Sequence, residues 1–199
     1  MRKLTVAAFA ITLLLFFSLA WSPRDFLTRR LAADLIARSS AFKAPQQFWM
    51  QTGVLSNKEY LSAEYLALQH KGWISATDAP CPANLAPPPC WDVALTPSGV
   101  ETIRALVPDA SKSSFPIPAA RRELVAVTGV SKQGNTADAE FLWKWAPLNE
   151  LGAALYSGET RYRSTVGLRD YDDGWRLLQS ASHFGQPLDE ALKSAEPIP

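Results

Sequence analysis

The sequence predicts an α+β protein: a membrane or signal helix at the N-terminus, a helical part with a small hairpin, and a C-terminal antiparallel β-sheet. Three observations carry this. Leu4 to Trp21 is an apolar run behind Arg2 and Lys3, with no charge between Lys3 and Arg24. Residues 56–107 combine helix-capping signals with a proline-rich loop that holds both cysteines of the chain. Past residue 122 the text alternates, with Ala137, Ala139, Phe141, Trp143 and Trp145 on one face. The expected divisions are a signal peptide or anchor at 1–21, a winged, helical part at 22–107, a linker at 108–118, the sheet at 119–182 and a tail at 183–199.

The N-terminal run has two readings. A cleaved export signal needs a basic start, an apolar core of roughly 7–15 residues and small residues before the cut. Ser18-Leu19-Ala20 offers such a site, with cleavage after Ala20. An uncleaved anchor needs about 17–25 apolar residues, and Leu4 to Trp21 lies at the short end of that range. The anchor is the preferred reading. Arg24, Arg29, Arg30 and Arg38 follow the run, so basic residues flank it on both sides and do not fix its orientation. The cysteines do more. Cys81 and Cys90 sit among Pro80, Pro82, Pro87, Pro88 and Pro89, and no second cysteine pair or nearby His completes a zinc set. They read as a disulfide staple, with free thiols as the alternative. A persistent disulfide favours a compartment outside the reducing cytosol.

Each element follows from a local signal. Ser22-Pro23-Arg24-Asp25 is a helix start, and Phe26, Leu27, Leu31, Leu35 and Ile36 recur at helical spacing to about Ser39. Phe48-Trp49-Met50 is an apolar cluster that periodicity does not assign. Ser56-Asn57-Lys58-Glu59 is a capping box opening a helix with Tyr60, Leu61, Tyr65 and Leu68, closed by Gly72. Trp73-Ile74-Ser75 and Trp91 to Leu95 flank the cysteine loop, and Thr96-Pro97 starts a helix carrying Val100, Ile103 and Leu106. Strands are expected at Glu123–Val130, Thr136–Trp145, Arg161–Tyr171 and Trp175–Gln179. Gly134 and Gly174 supply the turns between them. Asn149–Tyr156 reads as a short helix or crossover, and a short helix is expected around Pro187–Ser194.

Two resemblances attach to these residues. Lys71-Gly72-Trp73-Ile74, a hairpin, and then Leu95-Thr96-Pro97-Ser98-Gly99 resemble the second half of a winged helix over residues 56–107. The resemblance implies a fold fragment. Gly134 to Phe141, followed by Tyr171-Asp172-Asp173-Gly174-Trp175-Arg176-Leu177, looks like the closing β-meander of uncharacterised exported bacterial proteins. Some of these have a cone-shaped sheet as in nuclear transport factor 2-like proteins. The lipoprotein version carries a Cys after the apolar segment, and this chain has none there.

Charge and chemistry narrow the function. Removing Arg2 and Lys3 with residues 1–20 leaves 18 of the 20 basic residues against 19 acidic ones. Residues 41–107 hold Lys43, Lys58, Lys71 and Arg104 against Glu59, Glu64, Asp78, Asp92 and Glu101. A phosphate-gripping protein needs clustered Lys and Arg, so no nucleic acid is expected as partner. His70 and His183 are the only histidines, and neither has a nucleophile or carboxylate at a telling spacing. Asp170, Asp172 and Asp173 read as a turn rather than a calcium loop. No catalytic residue, cofactor site or metal site is expected. Arg161, Arg163 and Arg169 share one strand parity and read as a solvated face, with an anion- or partner-binding stripe as the alternative. Phe141, Trp143 and Trp145 read as core, with the lining of an apolar pocket as the alternative.

The expectation is a non-enzymatic binding or envelope-support module at the bacterial inner membrane, its soluble part facing the periplasm, or free in the periplasm if cleaved. Its partners would be the membrane, through residues 4–21, and an unknown protein or small apolar ligand. Alternatives are a membrane-tethered winged-helix transcriptional regulator and a cone-sheet pocket enzyme.

Overall fold

Helices and antiparallel strands both form, as an α+β chain should. The structure, a computed structural model, describes residues 26–83, 85, 88–107, 113–183 and 185–198. The apolar run at 4–21 and the Ser22-Pro23 helix start lie outside these residues. Among the described residues no helix is long and apolar enough to cross a membrane.

The first described helix, α1 (Arg29–Arg38), is capped by Thr28, whose hydroxyl accepts the Leu31 N–H at 3.1 Å. Residues 26–28 are not helical, so the described part of this helix begins later than the expected 22. A short helix α2 (Ser40–Lys43) buries Phe42. The unassigned cluster around Trp49 is a strand, β1 (Gln46–Gln51), that buries Phe48 and Met50 and exposes Trp49. It forms the edge of the large sheet. Its outer edge is partly closed, because the Tyr65 hydroxyl accepts from Gln51 N at 2.8 Å and donates to Gln51 O at 2.9 Å.

β2 (Gly53–Ser56) leads into the capping box, and both arms of the box form: Ser56 Oγ accepts from Glu59 N, and Glu59 Oε2 accepts from Ser56 N at 3.0 Å. Hydrogen bonds from the Ser56 hydroxyl and backbone hold the Glu59 carboxyl below its ordinary pKa. The expected single helix is two, α3 (Asn57–Tyr60) and α4 (Ala63–His70), broken at Leu61-Ser62. The break has a geometric reason. On one continuous helix, residues five apart point about 140° away from each other, yet Tyr60 and Tyr65 are both buried in one core. α4 closes with Trp73 N donating to Leu68 O and Gly72 N donating to Gln69 O, with Gly72 at φ +72°. This is the Schellman pattern that its glycine predicts.

The hairpin β3 (Ile74–Ala79) and β4 (Cys90–Leu95) carries the Cys81–Cys90 disulfide at its tip. β2 pairs on the far side of β4, giving the antiparallel order β2–β4–β3. α5 (Pro97–Leu106) follows, with Thr96 as N-cap.

The large sheet consists of β1, β5 (Ser114–Gln133), β6 (Thr136–Pro147), β7 (Arg161–Tyr171) and β8 (Gly174–Leu177), in that order, with β9 (Glu196–Ile198) also on β7. α6 (Glu150–Leu155) lies between β6 and β7, and α7 (Leu188–Lys193) precedes β9. Two expected boundaries move. Residues 114–118 of the expected linker are strand, paired with β1 from Ser114↔Gln51 to Pro118↔Gln47. The backbone of Gln51 turns outward to Tyr65, so Gln51, Trp49 and Gln47 sit at non-hydrogen-bonded positions. Pro116 and Pro118, opposite Trp49 and Gln47, therefore need no N–H for the ladder. The expected tail holds α7, within the short helix expected around Pro187–Ser194, but also β9, registered as Arg163↔Glu196 and Arg161↔Ile198.

Two apolar cores result. The first joins β1, β2, α3, α4, β3, β4, α5 and α6 around Met50, Leu68, Ile103 and Leu151, and takes Phe115, Ile117 and Ala119 from β5. The second lies on β6 and β7 under α1, α2 and α7, around Ile36, Phe42, Phe141, Val166 and Ala191. α1 and α2, expected with the winged part, therefore belong to the sheet.

The same device docks α5 and α6. Thr96 N donates to Trp73 O, the Thr96 hydroxyl accepts from Gly99 N at 3.1 Å, and a Cβ on Gly99 would overlap that Trp73 carbonyl oxygen. Leu148 N donates to Ala119 O, the Asn149 side chain accepts from Gly152 N at 2.8 Å, and a Cβ on Gly152 would overlap the Ala119 oxygen. In both places a cap–x–x–Gly start lets a helix rest on a backbone carbonyl. Gly99→Ala and Gly152→Ala should each cost about 3 kcal/mol or more, because backbone must move to relieve the overlap. Gly129→Ala, with open space around it, should stay within about 0.5 kcal/mol. Urea denaturation of the three variants measures this; a stable Gly152→Ala variant would show that α6 is not seated as described.

Candidate functional site

β6 carries the most regular part of the inner face of the large sheet. Ala137, Ala139, Phe141, Trp143 and Trp145 point inward, and their β5 partners run Lys132, Val130, Val127, Leu124 and Arg122. Register shifts at 124/126 and 127/129 keep these residues on one face although their numbers change parity. On β7 the inward residues are even-numbered, including Tyr162, Ser164, Val166 and Leu168.

Phe141 is wholly buried and meets the Phe42 ring edge-on at 6.2 Å. Trp143 is 3% exposed, stacks on Tyr162 at 4.6 Å and donates its indole N–H to Ser164 Oγ at 3.1 Å. Both rings lie in the core cluster that also holds side chains of α1, α2 and α7. Trp145 is half-buried at the end of the row, edge-on to Trp143 at 5.2 Å and against Tyr156 at 4.9 Å.

Arg161, Arg163 and Arg169 are all exposed on the other face of β7. They do not form one stripe. Between them Leu178 and Gln186 lie against β7, with Gly167 N donating to Gln186 O, Leu178 N donating to Gly167 O and the Gln186 amide donating to Thr165 O. Leu178 and Gly185 crowd the space that a Gly167 side chain would occupy. Carboxylates are interspersed: Glu123 meets Lys144 at 3.8 Å beside Arg161, and Glu196 is the register partner of Arg163. Arg169 and Arg176 instead flank the Tyr171 ring, and Arg176 pairs with Asp173 in the turn. This mixture of charges suits a solvated face.

What the sequence did not single out is Arg122. It sits on the inner face opposite Trp145, with its guanidinium carbon 4.7 Å from that ring and 5.6 Å from Trp143. Nη1 donates to the Ala41 carbonyl at 3.1 Å, tying α2 to β5. Nε is buried and has no hydrogen-bond partner among the described residues. No carboxylate lies within ion-pair distance of it among the described residues. Burial pulls its pKa below the usual guanidinium value, and the more distant Asp189 carboxylate opposes that. Burial likewise raises the Tyr156 hydroxyl, with Glu64 acting in the same direction and Arg122 against it. Beside Arg122 opens a cleft of about 400 Å³ lined by Ala37, Phe42, Lys43, Arg121, Glu123 and Leu124. The arrangement can hold an anion next to apolar surface. It places no nucleophile and base together.

Trp143→Ala should cost about 3–5 kcal/mol, the usual loss for a buried aromatic. Arg163→Ala should cost roughly 0.5 kcal/mol or less. Paired denaturation curves check both; unchanged stability in the Trp143 variant would remove that ring from the core. No family model, curated protein or solved structure matches this chain, so the reading of its function rests on its own residues.

Proposed function

We propose that this chain is an exported, non-enzymatic binding module of the bacterial envelope, tethered to the inner membrane by residues 4–21 with the described part on the periplasmic side. The observation that carries the reading is the Cys81–Cys90 disulfide at the tip of the β3–β4 hairpin. A disulfide is sustained outside the reducing cytosol. The basic start and uncharged apolar run ahead of residue 24 support the same address. The binding part of the proposal rests on the Arg122 cleft.

The order β2–β4–β3 around α3 and α4 favours a second reading, a membrane-tethered winged-helix regulator, since a winged helix builds its sheet in this way. Its charges point elsewhere. α4 would be the helix in the groove, and it carries Glu64 with His70 as its only basic residue. The hairpin strands carry Asp78 and Asp92 and no Lys or Arg. Phosphate contacts need cations in these places.

Two measurements separate the readings. A phosphatase fused after Pro199, active only when exported, should be active; an inactive phosphatase together with a fluorescent cytosolic fusion would favour the regulator. Thiol labelling of denatured, unreduced protein taken from its native compartment should find no free thiol. Two labelled cysteines would remove the staple, and with it about 2–3 kcal/mol of stability expected from closing so short a loop.

A further inference from the structure

Arg122 is a half-buried cation without an acidic partner among the described residues. Withdrawing a guanidinium from water is costly unless something of opposite charge or good hydrogen-bonding geometry replaces the water. Here the replacement is incomplete: among the described residues it consists of one carbonyl and two indole rings, with nothing for Nε to donate to. The same contacts fix the guanidinium plane before any ligand arrives, and a fixed fork binds a carboxylate with less loss of freedom.

The cleft beside it is unbalanced in charge. Lys43, Arg121 and Arg122 line it against one carboxylate, Glu123, which already meets Lys144. Its other lining residues, Ala37, Phe42 and Leu124, offer apolar side chains. A volume of about 400 Å³ falls within the usual range for small-molecule sites.

We propose that the cleft between α2 and β5 binds a small amphipathic carboxylate, its charged end held by Lys43, Arg121 and Arg122 and its short apolar tail laid on Ala37, Phe42 and Leu124. This names the ligand class of the binding module proposed above and rests on that reading. A bare inorganic anion would leave the apolar floor unused. A cationic or neutral amphiphile would leave the three cations unmatched.

The test is calorimetric titration of the full chain in lipid nanodiscs, with empty nanodiscs as the blank. Hexanoate should bind saturably, acetate and inorganic phosphate about tenfold or more weakly, and hexylamine not at all. Arg122→Gln should weaken hexanoate about tenfold, comparable to losing one charge-assisted contact. Arg169→Gln, on the other face, should leave it unchanged. If Arg122→Gln loses its thermal unfolding transition, the Lys43→Gln/Arg121→Gln double variant decides, since both side chains are exposed; it should weaken hexanoate several-fold. No hexanoate binding, equal binding of hexylamine, equal binding of phosphate, or binding indifferent to these substitutions would each overturn the proposal. The fusion reporter tests export independently, so a cytosolic address with intact hexanoate binding, and an exported chain that ignores hexanoate, are distinguishable failures.

Discussion

β5 is the element that both cores need. Its first residues, Phe115 to Ala119, close the core around α3–α6, and its continuation from Arg122 to Lys132 lies opposite the inward face of β6. One strand of 20 residues therefore serves two apolar clusters. The register shift against β1 at Gln46/Gln47 falls between these two stretches, where Ala119 and Ala120 are both buried. Two small residues side by side leave room there for α6, whose Gly152 rests on the Ala119 carbonyl. The position of α6 thus depends on the exact place where β5 passes from one core to the other.

Arg122 belongs to the same passage. It is the first charged inward residue after the two alanines, and Trp145, its register partner, is the last aromatic of the β6 row. Were the strand regular, the inward residue after Ala119 would be Arg121. The shift presents Arg122 instead and leaves Arg121 exposed at the rim of the cleft. The charge arrangement of the cleft is in this sense a product of backbone register, not only of composition.

That explains which parts were legible in advance. The capping box, the Gly72 stop, the Thr96-Pro97 start and the two turns at Gly134 and Gly174 are signals within a few residues, and each holds. The alternation of β6 also reads correctly, because that strand pairs without interruption along β7. β5 does not alternate in sequence: its register shifts scramble the parity, and Pro116 and Pro118 look like linker text when only the sequence is in view. Their tolerance depends on the neighbouring strand's hydrogen-bonding phase, which no local signal reveals. β1 and β9 are short, and a strand of three to six residues carries little periodicity. The burial of Arg122, like the pairing of the proline-bearing start of β5, follows from tertiary contacts that lie outside the expected strand Glu123–Val130. Phe141 and Trp143 are buried, whereas the arginine parity on β7 is interrupted by Leu178, Gly185 and Gln186.

The Tyr65 hydroxyl on Gln51 has a consequence for how copies of this chain meet. An edge strand such as β1, bearing an exposed Trp49, offers a template on which another strand could add and start an aggregate. At Gln51 the template is already read by a side chain of the same molecule, which occupies both the amide and the carbonyl. An incoming strand would have to break two hydrogen bonds to make two, so growth of a fibrillar stack from that end gains little. A single phenol, anchored in the first core, thereby acts as a stopper against self-templating.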